Sequence, residues 1–203
     1  MGRIPVEERR RALIAAALRV VASRGLAGAS TRAIVTEAGM SLASFHYAFE
    51  SRDELIEQLI PEVIASEELA ILPDPVAGSM VDLLTDGLMG YLDHLRTDPA
   101  HEQAMLELTQ YALRERPELA RRQYEQYARI ARVGLELAAR HTRQRWSEPI
   151  DTVAALLLSL TDGLTLGWLV TRDDETAERV VKAAARIVAG LARPVKRGEG
   201  AST

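Results

Sequence analysis

The chain contains no cysteine, which removes disulfide bridges, thiolate metal sites and cysteine nucleophiles at once. It has no unbroken apolar run near the ~18 residues that a membrane-crossing helix needs. The longest, from Val153 to Leu160, lies far from the N-terminus, and no basic-then-apolar leader opens the sequence. Sustained period-two alternation of β-branched and aromatic residues is missing, so no sheet is expected. Internal repeats and low-complexity tracts are also missing, and only the tail RGEGAST after Lys196 reads as disordered (196–203). The four histidines (His46, His94, His101, His141) show neither His-x-x-x-His nor Glu-x-x-His spacing, so no metal site is expected. Ser159 and Asp162 lack a nucleophile-elbow context, and no glycine-rich phosphate loop occurs. These absences point to a cytoplasmic, cofactor-free binding protein that neither meets a membrane nor catalyses a reaction.

What is present is ordinary in bulk and uneven in distribution. The 203 residues are 47% hydrophobic and 27% charged, enough for one or two domains with a substantial core. Net charge is −4, yet residues 1–55 hold eight arginines against six acids, while the remainder holds 17 basic and 23 acidic residues. A mildly basic N-terminal module beside an acidic body suits a protein whose head meets phosphate.

Helical periodicity runs through the whole chain, predicting about nine helices and an all-α fold. The first helix spans about Val6 to Arg24, with Leu13, Ile14, Ala17, Leu18 and Val21 on one stripe, and Gly25 ends it. Further on, prolines preceded by capping residues mark helix starts at Asp74-Pro75, Asp98-Pro99, Pro117 and Ser147 to Pro149. Asp174 caps the last helix, which Pro194 stops, and Pro61 should kink or break the fourth.

The densest information sits in residues 30–54. Gly39 follows a short helix carrying Ile34, Val35 and Ala38, and glycine adopts the positive φ that reverses a chain there. Ser41 stands where an N-cap must be, so a new helix opens at Leu42. In that helix Leu42, Phe45 and Phe49 fall on the core side, which turns Ala43, Ser44 and Tyr47 outward together, with His46 on the flank. Small and hydrogen-bonding residues on the outer face of a second helix after a tight turn are what a helix-turn-helix DNA reader needs. Ser51 and Glu54 form a capping box for the next helix, whose positive end with Arg52 would anchor phosphate.

The order of residues over about 8–56 resembles the N-terminal domain of TetR-type transcriptional repressors. Ser30 and Arg32-Ala33-Ile34 look like that family's Thr-x-Arg-x-Ile helix start, and Ala38-Gly39-Met40-Ser41 like its Ala-Gly-Val-Ser turn. Phe45-His46-Tyr47-Ala48-Phe49 is similar to its Leu-Tyr-His-Tyr-Phe recognition helix, and Ser51-Arg52-Asp53-Glu54-Leu55 to its Ser-Lys-Glu-x-Leu cap. His46 and Tyr47 are permuted relative to the pattern, Ala48 replaces a common tyrosine, and Arg52 replaces lysine. The resemblance implies a helix-turn-helix head over 1–51, with Ser30, Thr31, Arg32, Ser41, Ala43, Ser44, His46, Tyr47 and Arg52 as the DNA-contacting set. Arg3 and Arg9-Arg10-Arg11 would add phosphate or minor-groove contacts, although successive helical positions point about 100° apart and cannot all face DNA.

For residues 52–195 the resemblance implies an effector-binding and dimerisation body. The almost uniformly apolar or small stretch from Val153 to Leu169 must be buried on more than one side. Val153, Leu157, Leu160, Leu164 and Gly167, with Val180, Ala184, Ile187 and Leu191 of the last helix, are the expected homodimer interface. Effector-lining candidates are Leu84, Leu88, Tyr91, Met105, Leu108, Tyr124, Tyr127, Thr161, Thr165 and Trp168. Few charges interrupt them, so a small apolar or amphipathic molecule is expected. Three readings stay open on these residues: a ligand-released repressor on a palindromic operator, a helical small-molecule carrier or enzyme without DNA binding, and a constitutive DNA-binding protein.

Overall fold

In a computed structural model, residues 5–68 and 78–195 are described, and they are almost wholly helical. The elements run α1 (Val6–Gly28), α2 (Thr31–Glu37), α3 (Leu42–Ala48), α4 (Arg52–Glu68), α5 (Met80–Thr97), α6 (Pro99–Glu115) and α7 (Pro117–Thr142). Strand β1 (Gln144–Trp146), α8 (Ile150–Thr171), α9 (Asp174–Ala189) and β2 (Ala192–Pro194) complete the chain. The helix opening expected at Asp74-Pro75 and the tail after Lys196 lie outside the described residues.

Local chemistry sets most of these boundaries. Helical bonding in α1 continues nominally to Gly28, but Gly25 at φ 71° and ψ 167° breaks the helix at the glycine that the sequence marks. Ser30, Ser41 and Asp98 cap α2, α3 and α6, accepting the amide hydrogens of Ala33, Ser44 and His101. The last helix begins one residue earlier than expected. Asp173, not Asp174, is its cap, accepting from Thr176, while Asp174 turns sideways to Arg96 and to the indole of Trp168. Pro61 does not break α4, which runs through it.

Two features depart from the sequence reading. β1 and β2 form a small antiparallel pair in the register Gln144↔Pro194, Arg145↔Arg193 and Trp146↔Ala192, so Pro194 lies in a strand and α9 ends at Gly190. Three-residue strands are too short to show alternation, which is why no periodicity announced them. The second is α8, which is long and apolar enough by length and composition to cross a membrane, with mean hydropathy 1.7. Counting only unbroken apolar runs missed it, because Asp162 and single hydroxyl residues interrupt a helix that is apolar on average. Only about a third of it is buried, against α5 and α9.

Packing divides the chain into two units. The first contains α1, α2, α3, α4 up to Glu67, and Asp98–Gln123. The sequence boundary at 51/52 therefore differs from the packing boundary. The apolar face of α6 (Ala104, Met105, Leu108, Ala112) is buried, and α1 and α6 form the most extensive helix pairing of this unit. A contact between helices some eighty residues apart leaves no local trace in the sequence. Phe45, Phe49, Leu13, Ile34, Leu55 and Ile56 are completely or almost completely buried in it. The second unit comprises α5, α7 from Tyr124, β1, α8, α9 and β2. Its core joins Leu84, Leu88, Leu92, Leu95, Val153, Leu164, Trp168, Val181 and Val188.

Candidate nucleic-acid interface and body

The head presents α3 between two firmly held ends. At its start Ser41 accepts from the Ser44 amide, and the two hydroxyls lie 3.0 Å apart. At its end the Arg10 guanidinium donates to the Ala48 carbonyl, bonds Glu54 at 3.1 Å and stacks 4.2 Å over the Phe49 ring. Arg10 is thus a clamp between α1, α3 and α4. Arg9 instead lies 4.9 Å over the Tyr47 ring, and Arg11 is exposed. The three arginines diverge as helix geometry requires.

On the outer surface of α3, Ala43, His46 and Tyr47 are exposed and Ser44 is half-buried. Tyr47 is 54% exposed and Leu42 is 48% exposed. Leu42 therefore does not belong to the core, as the sequence pattern had it. Phe45, Ala48 and Phe49 seat the helix, the two phenylalanine rings 5.7 Å apart, and Leu42 joins the outward face. His46 stands edge-on to Phe45. On α2, Ser30 and Arg32 are exposed and Thr31 is half-buried, and Arg32 makes no ion pair among the described residues.

Arg52 has a different task from the one expected. Its Nε donates to the Ala29 carbonyl at 2.6 Å, one terminal nitrogen donates to the Leu26 carbonyl at 2.6 Å, and the other meets Asp53 at 3.3 Å. The α1–α2 connection hangs on this side chain, so its donors face inward and not toward a phosphate. The capping box is also shifted. Ser51 accepts from Glu54, but Glu54 returns to the amide of Glu50 at 2.7 Å. Sequence reasoning also missed Glu107 on α6, whose carboxylate accepts the Leu26 amide hydrogen at 2.5 Å, and Arg116, which pairs with Glu57 at 2.5 Å. Both bonds depend on long-range packing.

In the second unit, Tyr91 shares a hydrogen bond with Thr165, and Thr165 also donates to the Thr161 carbonyl. Tyr124 donates to Asp162 at 2.8 Å and meets the Tyr127 ring edge-on at 6.1 Å. Desolvation, with the Asp162 carboxylate beside it, pushes the Tyr124 hydroxyl up to about 12. Leu84 and Leu88 are buried in the same unit's core. Met105 and Leu108 are buried in the first unit instead, so the expected lining set does not lie on one body. Trp168 is closed off as well. Its indole donates to Asp174 at 2.8 Å and the Arg172 guanidinium covers its ring at 4.4 Å. The bond from Trp168, then that from Arg96, holds the Asp174 carboxyl below the usual carboxylate range.

Several expected interface residues are not available for one. Val153, Leu164 and Ala184 are buried inside their own unit, because helical rotation points them at α5 and across the α8–α9 contact. Leu157, Leu160 and Leu191 are half-buried, while Gly167, Val180 and Ile187 are exposed. The outward apolar stripe consists of Leu166 (56% exposed), Val170 (74%), Val180 (42%) and Ile187 (60%), with Gly163 and Gly167 between.

A capped, outward-facing second helix after a glycine turn, carried by an otherwise helical chain, defines a helix-turn-helix regulator. Residues 13–59 match the family pattern of bacterial regulatory proteins, tetR family, and residues 81–193 match the BetI-type transcriptional repressor C-terminal domain. The chain belongs to the TetR family of transcriptional regulators. It is 30% identical over 176 residues to the HTH-type nicotine-responsive transcriptional repressor HdnoR of Paenarthrobacter nicotinovorans, covering 85% of this chain and 89% of that protein. Among solved structures it is similar to the multidrug binding protein EbrR complexed with ethidium. That match has a TM-score of 0.64 and 27% identity, over 87% of this chain and 98% of that one. A transcriptional regulator from Rhodococcus sp. Rha1 shares the fold, at TM-score 0.73 and 23% identity over 92% and 99% of the two chains.

Proposed function

We propose that this regulator is a homodimeric repressor that holds a palindromic operator through paired α3 helices and releases it when a small amphipathic aromatic molecule binds the body. The observation that carries this reading is the outward surface of α3. Leu42, Ala43, His46 and Tyr47 are exposed on its outer side, and both ends of the helix are fixed. His46 and Tyr47 read base edges, while exposed Arg32 contacts phosphate together with Ser30, Thr31, Ser41 and Ser44. Two-fold pairing through the stripe of Leu166, Val170, Val180 and Ile187 sets the half-site spacing.

The effector is an aromatic amine or an aromatic cation. A nicotine-responsive relative and an ethidium-bound neighbour support that class. Within this chain Tyr124 and Tyr127 offer rings, and Asp162 offers a carboxylate beside them. Release is a population shift. Helix α6 grips the α1–α2 connection through Glu107 and α4 through Arg116, so a displaced α6 re-aims the head. Pro61, which removes one backbone hydrogen bond inside α4, provides a hinge.

Selection of bound sequences from random duplex DNA tests the reading. The expected product is a palindrome whose retention falls when ethidium or nicotine is added. Failure to retain any duplex would favour a small-molecule carrier, and retention that no aromatic amine affects would favour a constitutive binder.

A further inference from the structure

The end of α7 carries an arginine cluster that the regulatory reading does not use. Arg140, Arg143 and Arg145 rim an open groove of about 450 Å³ whose apolar wall includes Trp146, Ile150 and Val195. Volumes of this order accommodate a small organic molecule. Glu136 is the single acid lining it, and it reaches only Arg140, loosely, at 3.8 Å. Arg143 and Arg145 make no ion pair among the described residues. Cations near a helix C-terminus are favoured by the macrodipole, which accounts for Arg140. It also covers Arg143, one residue past the helix end, but not Arg145.

Arg143 sits at φ 55°, in the left-handed region that non-glycine residues rarely adopt. Asparagine or glycine would fill that corner more cheaply. Arg145 lies directly opposite Arg193 in the β1–β2 pair, an arrangement of like charges that destabilises a ladder. Arg193 turns its guanidinium back onto the Gly190 and Ala192 carbonyls, leaving Arg145 without a counter-charge. Trp146 is fixed by its indole bond to the Leu135 carbonyl at 3.2 Å, which makes its ring a rigid wall. Unrelieved positive charge and an apolar wall therefore coincide in one place.

We propose that this groove binds an organic anion with an apolar body, its carboxylate between Arg143 and Arg145 and its hydrocarbon part against Trp146. The anion neutralises the charge facing Arg193 and braces the α7–α8 connection against the C-terminal strand. This site is separate from the Tyr124–Asp162 region and of opposite charge preference, so it stands whether or not an aromatic amine is the effector.

The test uses naphthoate as probe and naphthamide as its neutral counterpart, in calorimetric titrations of the full chain. Naphthoate should bind saturably at one site per chain, more weakly as salt rises, and should quench tryptophan emission. The double variant Arg143→Asn, Arg145→Gln keeps a residue suited to the left-handed corner and should lose affinity by about tenfold or more. A melting curve like the parent's shows that this variant is folded. Unchanged naphthoate affinity in the double variant would overturn the proposal. So would equal affinity for naphthamide, or no saturable binding at all.

Discussion

Leu26 is held from both sides: its amide hydrogen goes to the Glu107 carboxylate at 2.5 Å, and its carbonyl accepts from Arg52 at 2.6 Å. The α1–α2 connection is thereby tied to α6 and α4 at once. Glu107→Ala leaves the amide to water and should lower stability by about 1 kcal/mol, whereas Glu107→Gln keeps an acceptor and should cost less. Urea denaturation ranks the two. Weaker operator binding by Glu107→Ala at a temperature where it is fully folded would show that α6 sets the head's geometry.

Arg52 and Arg32 should separate stability from DNA contact. Arg52→Ala strips two hydrogen bonds from the connection, with the ion pair to Asp53, and should cost about 2–3 kcal/mol. Arg32→Ala should melt like the parent but bind all duplexes more weakly, with a shallower salt dependence by about one unit of slope. Thermal melts and anisotropy titrations across salt check both. A salt slope lowered by Arg52→Ala and unaffected by Arg32→Ala would reverse the assignment.

The two positive-φ glycines among the described residues should differ in what they tolerate. Gly39, at φ 62°, has open space around the missing side chain, so its substitution cost is conformational alone. Gly39→Asn should be close to neutral and Gly39→Val should cost about 1–2 kcal/mol. At Gly25, φ 71°, a Cβ would also meet the Glu107 carboxylate at 3.2 Å. Gly25→Ala should therefore destabilise more than Gly39→Ala, as chemical denaturation would reveal.

Alkaline pH should weaken the second unit through Tyr124. Its hydroxyl keeps its proton to about 12 in the folded chain, against about 10 when unfolded. Between those values the unfolded chain has already released the proton, so stability falls as pH rises. Asp162→Asn removes the carboxylate that opposes ionisation and should bring the Tyr124 transition down. Phenolate absorbance followed against pH measures the shift.

Charge placed on the outward stripe should dissociate the dimer. Val170→Glu, at a position 74% exposed in the single chain, leaves the fold of each unit intact. It buries an unpaired carboxylate in the paired state, at a cost of several kcal/mol. Sedimentation should find monomer, and operator affinity should collapse with it. A dimeric Val170→Glu protein would place the interface elsewhere.

The chemistry that the sequence determined by itself is local. Gly25 and Gly39 reverse the chain, Ser30, Ser41 and Asp98 cap helices, and Pro99 and Pro117 open them, because each acts on backbone atoms within four residues. The same locality made the turn and reading helix legible enough to name the family. Tertiary structure alone decided what a side chain reaches across the fold. Arg52 had the charge and position of a phosphate anchor, yet it closes on the carbonyls of Leu26 and Ala29. Val153 and Val170 are equally apolar, and only the packing of α5 and α9 against α8 buries the first and exposes the second. Periodicity marks which residues share a helix face, but which face meets a neighbour depends on contacts made scores of residues away.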